Sequence, residues 1–226
     1  MFPIFVDPAW SSRFPGARMG LLEARNLEPL TTHPRLEQAR LALEEELRQR
    51  WGTMERKQLR EIPVLKVFES HYRPFGKTYH VLQQLESVAS KGRPIPARIC
   101  AVTALFMAEL KHGLVAAGHD LSFLEPPLRL APSKGGERYD NLGRVAVVLP
   151  EGDMTLSHAG GLLSSVLHGP ALETPVGPST RNALFTIYSL GAIPMAVLEA
   201  QMEDLASYLE CFSPEVQIER SIQPAS

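Results

Sequence analysis

"HYRPFGKTYHVLQQLESVASKGRPIP", residues 71–96, decides how the first half of the chain is read. A Tyr-x-Pro-Phe-Gly turn runs into an amphipathic segment that ends in Lys91-Gly92-Arg93-Pro94. Proline and glycine are the strongest punctuation a chain carries, because one fixes φ and removes a donor and the other tolerates φ > 0. Pro63 therefore opens a helix whose Leu65, Phe68 and Tyr72 share a face, and Pro74 with Gly76 close it. Thr78 is an expected N-cap for the next helix, with Val81, Leu82, Leu85 and Val88 as its apolar side. Gly92 and Pro94 break that helix. Pro96 is expected to start a third, lined by Ile99, Val102, Phe106 and Leu110 and ending near Gly113.

On the N-terminal side, "ARMGLLEARNL" (17–27) follows Phe14-Pro15-Gly16 and reads as a strand. "HPRLEQARLALEEELRQRWG" (33–52) reads as a helix with Pro34 in its first turn, a stripe of Leu36, Ala39, Leu43 and Leu47, and a solvated face of mixed charge. After residue 118 the pattern changes. "PLRLA", "RVAVVLP", "MTLSH", "LLSSVLH" and "NALFTIYSL" are short, rich in Val, Leu and Ile, and separated by Gly, Pro, Asn and Asp, as strands of a largely antiparallel sheet system are. In "PMAVLEAQMEDLASYLECF" (194–212), Leu198, Met202, Leu205, Leu209 and Phe212 form one helical stripe suited to a sheet face. Helices, then strands, then a closing helix give an α+β class. The reading places a single domain over 14–212, an N-terminal extension at 1–13 and a loose C-terminal tail at 213–226.

Bulk properties narrow the function classes. The 226 residues are 44% hydrophobic and 21% charged, with a formal net charge of −2. That balance suits a water-soluble domain and argues against binding nucleic acid by a wholly basic surface. No apolar run is long enough to span a membrane and the N-terminus lacks the pattern of a signal peptide, so the expected location is cytoplasmic. Cys100 and Cys211 sit in apolar helical patterns and read as buried thiols rather than a disulfide. The seven histidines include no His-Glu-x-x-His, and His112 and His119 read as surface or loop residues, so neither a metal nor a cofactor is expected. "SKGGERYDNLG" (133–143) lacks the Gly-Lys-Ser/Thr of a phosphate-binding loop, and no Gly-x-Ser-x-Gly marks a nucleophile.

Three places could carry chemistry. Glu137 follows two glycines and either projects from a loop mouth or is a solvated turn residue. His119 and Asp120 precede a short turn, where Asp120 is a natural N-cap. Thr180, Arg181 and Asn182 stand at the start of an apolar strand, where polar residues are common with or without a function.

The order helix, Tyr-x-x-Phe-Gly, helix, Lys-Gly-x-x-x-Pro, apolar helix resembles the B-three/B-four domain. That domain is the tRNA-editing module of the beta subunit of phenylalanyl-tRNA synthetase and has free-standing relatives. "FPGARMGLLEARNL", the Gly118–Leu121 turn, "LRLAPSKGGERYDNLG", "GDMTLSH" and "TPVGPSTRNALFTIYS" are similar to its later parts, and the likeness covers roughly residues 14–212. It implies an α+β fold and hydrolysis of the ester of a misacylated aminoacyl-tRNA, without a cofactor, in a module that is not a complete synthetase. The resemblance gives Glu137 the role of binding a polar substrate group or orienting water. His119, Asp120, Thr180 and Asn182 would be substrate-binding, and the tRNA 3′ end or an amino-acid-like small molecule would be the partner. Arg73, Lys77, Lys91 and Arg93 bracket the helix after Gly76 and are expected as a basic RNA-binding edge, or else as cations that offset helix dipoles. The alternatives are a module that binds RNA or an amino-acid-like ligand without turning it over, or a partner-interaction domain. The oligomeric state is open.

Overall fold

A computed structural model describes residues 2–224. It is α+β, with largely antiparallel sheets packed against helices. A four-stranded sheet runs in the order β11-β2-β10-β3, made of Gln217–Pro224, Arg18–Arg25, Ala183–Ser189 and Ala116–Asp120. A five-stranded sheet runs β1-β4-β7-β8-β9, made of Ile4–Val6, Leu128–Pro132, Met154–His158, Gly161–Ser165 and Gly169–Pro170. A hairpin of β5 (Arg138–Asp140) and β6 (Ala146–Val148) stands apart. Only the β1–β4 pairing in these sheets is parallel.

Every residue of β10 is buried, as a central strand covered on both faces requires. The closing helix α7 (Met195–Phe212) lies against β2 and β10 and buries Leu198, Met202, Leu205, Leu209 and Phe212, the stripe its sequence spells. Its approach depends on Gly20, where a Cβ would sit 2.7 Å from Met202 Sδ and 2.9 Å from Leu198 Cδ1. α2 (Pro34–Trp51) and α6 (Cys100–His112) pack beside α7. The one-turn α3 (Arg56–Leu59) precedes α4 (Pro63–Tyr72), which closes through a 3-10 turn at Arg73–Phe75 onto Gly76 at φ 65.

Five readings need correction. The tail after Ser213 is not loose up to Pro224: β11 pairs with β2 along its whole length, and residues 225 and 226 lie outside the described residues. Likewise the segment before residue 14 supplies β1 and the short helix α1 (Pro8–Arg13), with Met1 outside the described residues. Thr78 is not a cap. Tyr79 holds that position before α5 (His80–Leu85), and its N–H donates to Glu69 Oε1 at 2.8 Å. The helix expected from Pro96 starts only at Cys100, and residues 91–99 form an irregular strap.

The strap also explains the fifth correction, to the mixed-charge face of α2. Arg40 and Glu44 are buried, 7% and 2% exposed, and paired with each other. Glu44 accepts the Ile95 N–H at 2.7 Å while Arg40 donates to the Ile95 carbonyl at 3.2 Å. These side chains clamp the strap rather than face solvent. Cys100 is buried, Cys211 is half-buried, and both are free.

Candidate functional site

A groove of about 1170 Å³ runs across the outer face of the five-stranded sheet. Strand alternation builds its floor. Leu128, Leu130, Met154 and Leu156 point into the core, so Arg129, Ala131, Thr155 and Ser157 point out. Asp7 and Arg13 from the α1 region, the 133–137 turn, and the β7–β8 hairpin with His158 form the walls. Asp7 caps α1 by accepting the Ala9 N–H and also pairs with Arg129. Lys134 and Arg13 add further positive charge.

Glu137 reaches this groove because its turn is tightly wound. Gly135 and Gly136 have φ of 88 and 89, in the region that disfavours any side chain. The Gly136 N–H donates to the Leu149 carbonyl at 2.9 Å, and the Leu149 N–H returns to the Glu137 carbonyl at 2.8 Å. The carboxylate then folds back on its own turn, accepting the Ser133 hydroxyl and the Lys134 N–H, each at 2.7 Å. Partial burial pushes its pKa up. The hydrogen bonds from Ser133 and from the backbone of the turn outweigh that, and the net displacement is below the usual carboxylate value. Glu137 is ionised at neutral pH.

His158, on the same rim, accepts the Glu125 N–H at Nδ1, 2.9 Å away. Its neutral ring therefore carries the proton on Nε2 and offers a donor. Sequence reading did not single out His158, and its only signal was its place at the end of an alternating strand.

The other four expected site residues are elsewhere and do not line this groove. His119 is neither a surface nor a loop residue: it lies in β3, wholly buried between β10 and the bridge to Pro175. Burial, then the neighbouring His158, lowers its pKa to about 3, so the ring is neutral. Its Nδ1 is 2.9 Å from Thr174 Oγ1, and Nε2 is buried with no partner among the described residues. Asp120 caps the 3-10 turn Leu121–Phe123 through the Ser122 N–H and accepts the Thr180 hydroxyl at 2.6 Å. Thr180 in turn accepts the Gly177 N–H at 2.8 Å. Asn182 uses its side-chain oxygen on the Asn26 N–H at 3.3 Å and its carbonyl on the Leu121 N–H at 2.9 Å. Polar atoms of Asp120, Thr180 and Asn182 are thus spent tying loops to β10 and β3.

The basic residues also divide. Arg73 and Lys77 share a pocket of about 410 Å³ with Arg60 and Lys66, whose charges are met by Glu69 and Glu61. Lys91 pairs with Glu86 at 3.0 Å, and Arg93 lines a different pocket at the far end of the helical segment. They form two places rather than one edge.

Sequence reading missed a second carboxylate. Asp153, just before β7, is wholly buried. It accepts the Ser165 hydroxyl and the Leu167 N–H at 3.3 Å. Burial raises its pKa to about 6 against these donors and the charge of Lys77. The visible signal was an Asp set directly before an apolar strand, in Gly152-Asp153-Met154. Among the described residues no group of three or more His, Cys, Asp or Glu is placed to hold a metal ion. No helix among them is long and apolar enough to cross a membrane.

No family model and no curated protein matches the chain. Among solved structures it is similar to an N-terminal fragment of the phenylalanyl-tRNA synthetase beta-subunit from Pyrococcus horikoshii, at 13% identity and a TM-score of 0.47. That likeness is distant. It takes in 99% of this chain and 54% of the other, so the chain spans about half the length of the fragment it resembles.

Proposed function

We propose that this chain is a stand-alone tRNA-editing-like domain, receiving the aminoacylated 3′ end of tRNA in the groove and hydrolysing the ester when the amino acid is wrong. The observation that carries this reading is an ionised carboxylate, Glu137, fixed at the wall of a groove that also holds Arg13, Lys134 and the donor ring of His158. The sequence motifs that resemble the editing module favour the same reading. An aminoacyl ester is already activated, so a held water and hydrogen-bond donors suffice without a nucleophile. A carboxylate with a lowered pKa is a weak general base. Glu137 therefore holds the substrate's α-ammonium and, through it, the ester, or orients the water. Arg73 and Lys77 are the proposed phosphate contacts, and the proposed location is cytoplasmic.

A second reading has its own support. Both Glu137 oxygens are already engaged by Ser133 and Lys134, as a purely structural turn residue's would be. A module that binds an RNA end or an amino-acid-like ligand without turnover accommodates that. The separating experiment incubates the protein with a panel of mischarged tRNAs and, in parallel, follows thermal shift with tRNA and free amino acids. Deacylation above the buffer rate for at least one tRNA supports the enzyme. Stabilisation with no deacylation supports binding alone.

The phosphate contacts have a separate test. Arg73→Glu with Lys77→Glu should weaken tRNA binding and reduce its salt slope by about one to two units. An unchanged slope removes these residues from the interface.

A further inference from the structure

The strap that carries Arg93 roofs a third, smaller pocket of about 250 Å³. Its floor is Phe106 and Leu110 of α6 and Val88, its rim is Pro94 and Pro96, and Arg93 and Gln84 supply polar groups. Three features distinguish it from a packing gap. First, its roof is held rigid. The buried Arg40–Glu44 pair takes both backbone groups of Ile95, and prolines stand on either side, so the rim is organised before anything binds. Second, Gln84 Oε1 is buried with no hydrogen-bond partner among the described residues, a state that costs free energy unless something donates to it. Third, the wall containing Ser87 and Val88 is a π-helical turn, Glu86–Ser90, a form that is rare and concentrated at functional sites.

We propose that this pocket binds a small apolar monocarboxylate carrying one N–H or O–H donor. The carboxylate meets Arg93, a turn of the Gln84 side chain brings its shielded Oε1 to the ligand's donor, and the apolar body covers Phe106 and Leu110. The Arg93 guanidinium has no ion-pair partner among the described residues, and Glu86, next to the wall residue Ser87, is already engaged by Arg56 and Lys91. A volume of about 250 Å³ admits a ligand of on the order of ten non-hydrogen atoms. The site is independent of the groove and of any editing activity.

The test titrates the full chain with indole-3-acetate and 4-hydroxyphenylacetate, which carry a carboxylate, an apolar ring and one donor. 1-Methylindole-3-acetate and 4-methoxyphenylacetate, lacking the donor, and 3-methylindole and 4-methylphenol, lacking the carboxylate, serve as the respective comparisons. The expected result is saturable binding of at least one of the first two, with its comparison compounds at least about tenfold weaker. Arg93→Ala and Gln84→Leu should each weaken binding by at least about tenfold, and Glu137→Ala should leave it unchanged. No saturable binding of either probe up to millimolar concentration overturns the proposal. So does binding that both pocket variants leave within about twofold.

Discussion

Glu137 and Asp153 stand on neighbouring loops, and Ser133 joins them: its hydroxyl serves Glu137, its backbone N–H the Asp153 carbonyl at 2.7 Å. Each carboxylate accepts one serine hydroxyl and at least one backbone N–H. Their pKa values nevertheless move in opposite directions, Glu137 down and Asp153 up to about 6. Donor count is therefore not what decides. Glu137 keeps one side toward an open groove, so the donors prevail. Asp153 has no exposure, so the loss of hydration prevails. One carboxylate is built to stay charged and the other to resist charge, although a single serine touches both loops.

The largest effect expected from this contrast belongs to Asp153. The folded state binds its proton more tightly than the unfolded chain does. The group therefore contributes its stability below about pH 4, and that contribution disappears as pH rises through about 6. A shift of about two units corresponds to roughly 3 kcal/mol. Asp153→Asn should remove this slope, so that urea denaturation at pH 4 and pH 7 differs by about 3 kcal/mol less in that direction than for the wild type. A slope that survives the substitution would mean that burial does not dominate at Asp153.

Thr180 sharpens the contrast between structural and acting polar groups. Thr180→Val leaves Asp120 and the Gly177 N–H without their partner in a buried setting. It should lower stability by about 1–3 kcal/mol, measured by chemical denaturation, while deacylation by the folded protein stays close to wild type. Loss of activity without loss of stability would return Thr180 and Asp120 to the substrate site.

Ser133→Ala gives a smaller effect, about 1 kcal/mol or less in stability. It should raise the Glu137 pKa toward its ordinary value, read by carbon NMR of the carboxyl. Glu137 contributes stability above its unfolded pKa and loses it as pH falls through the depressed folded value. The variant should accordingly lose part of its stability near neutral pH and show a weaker fall on acidification. An unmoved Glu137 carboxyl would mean that the serine is not what holds it ionised.

Much of the helical and sheet framework was legible because it is written in periodicity. The α7 stripe, the fully buried β10 and the Pro63–Gly76 helix are all places where packing and punctuation agree. What the sequence hid followed from two physical causes. β11 carries only Ile218 and Ile222 as apolar residues packed on the core, too few to mark an edge strand after Pro214. β3 reads Ala-Ala-Gly-His-Asp, with no β-branched residue, and is a strand because β10 supplies its partner. The turn geometry behind Glu137 was readable from its two glycines, since glycine alone takes φ near 90 without strain. The capping role of Asp120 was readable too, but its tie to Thr180 and the roles of His119 and Arg40 were not, because each is set by a partner at least 50 positions away or by burial that only the tertiary arrangement creates.

Whether Glu137 acts in the groove, as proposed, or merely shapes its turn is decided by deacylation of a responsive mischarged tRNA by wild type and by Glu137→Ala, with melting temperature recorded for both. The expected result is a fall in rate of roughly 10²-fold while stability changes by about 1 kcal/mol or less. A Glu137→Ala protein with wild-type turnover and wild-type melting temperature would contradict it, leaving Glu137 a turn residue and the groove without its acting carboxylate.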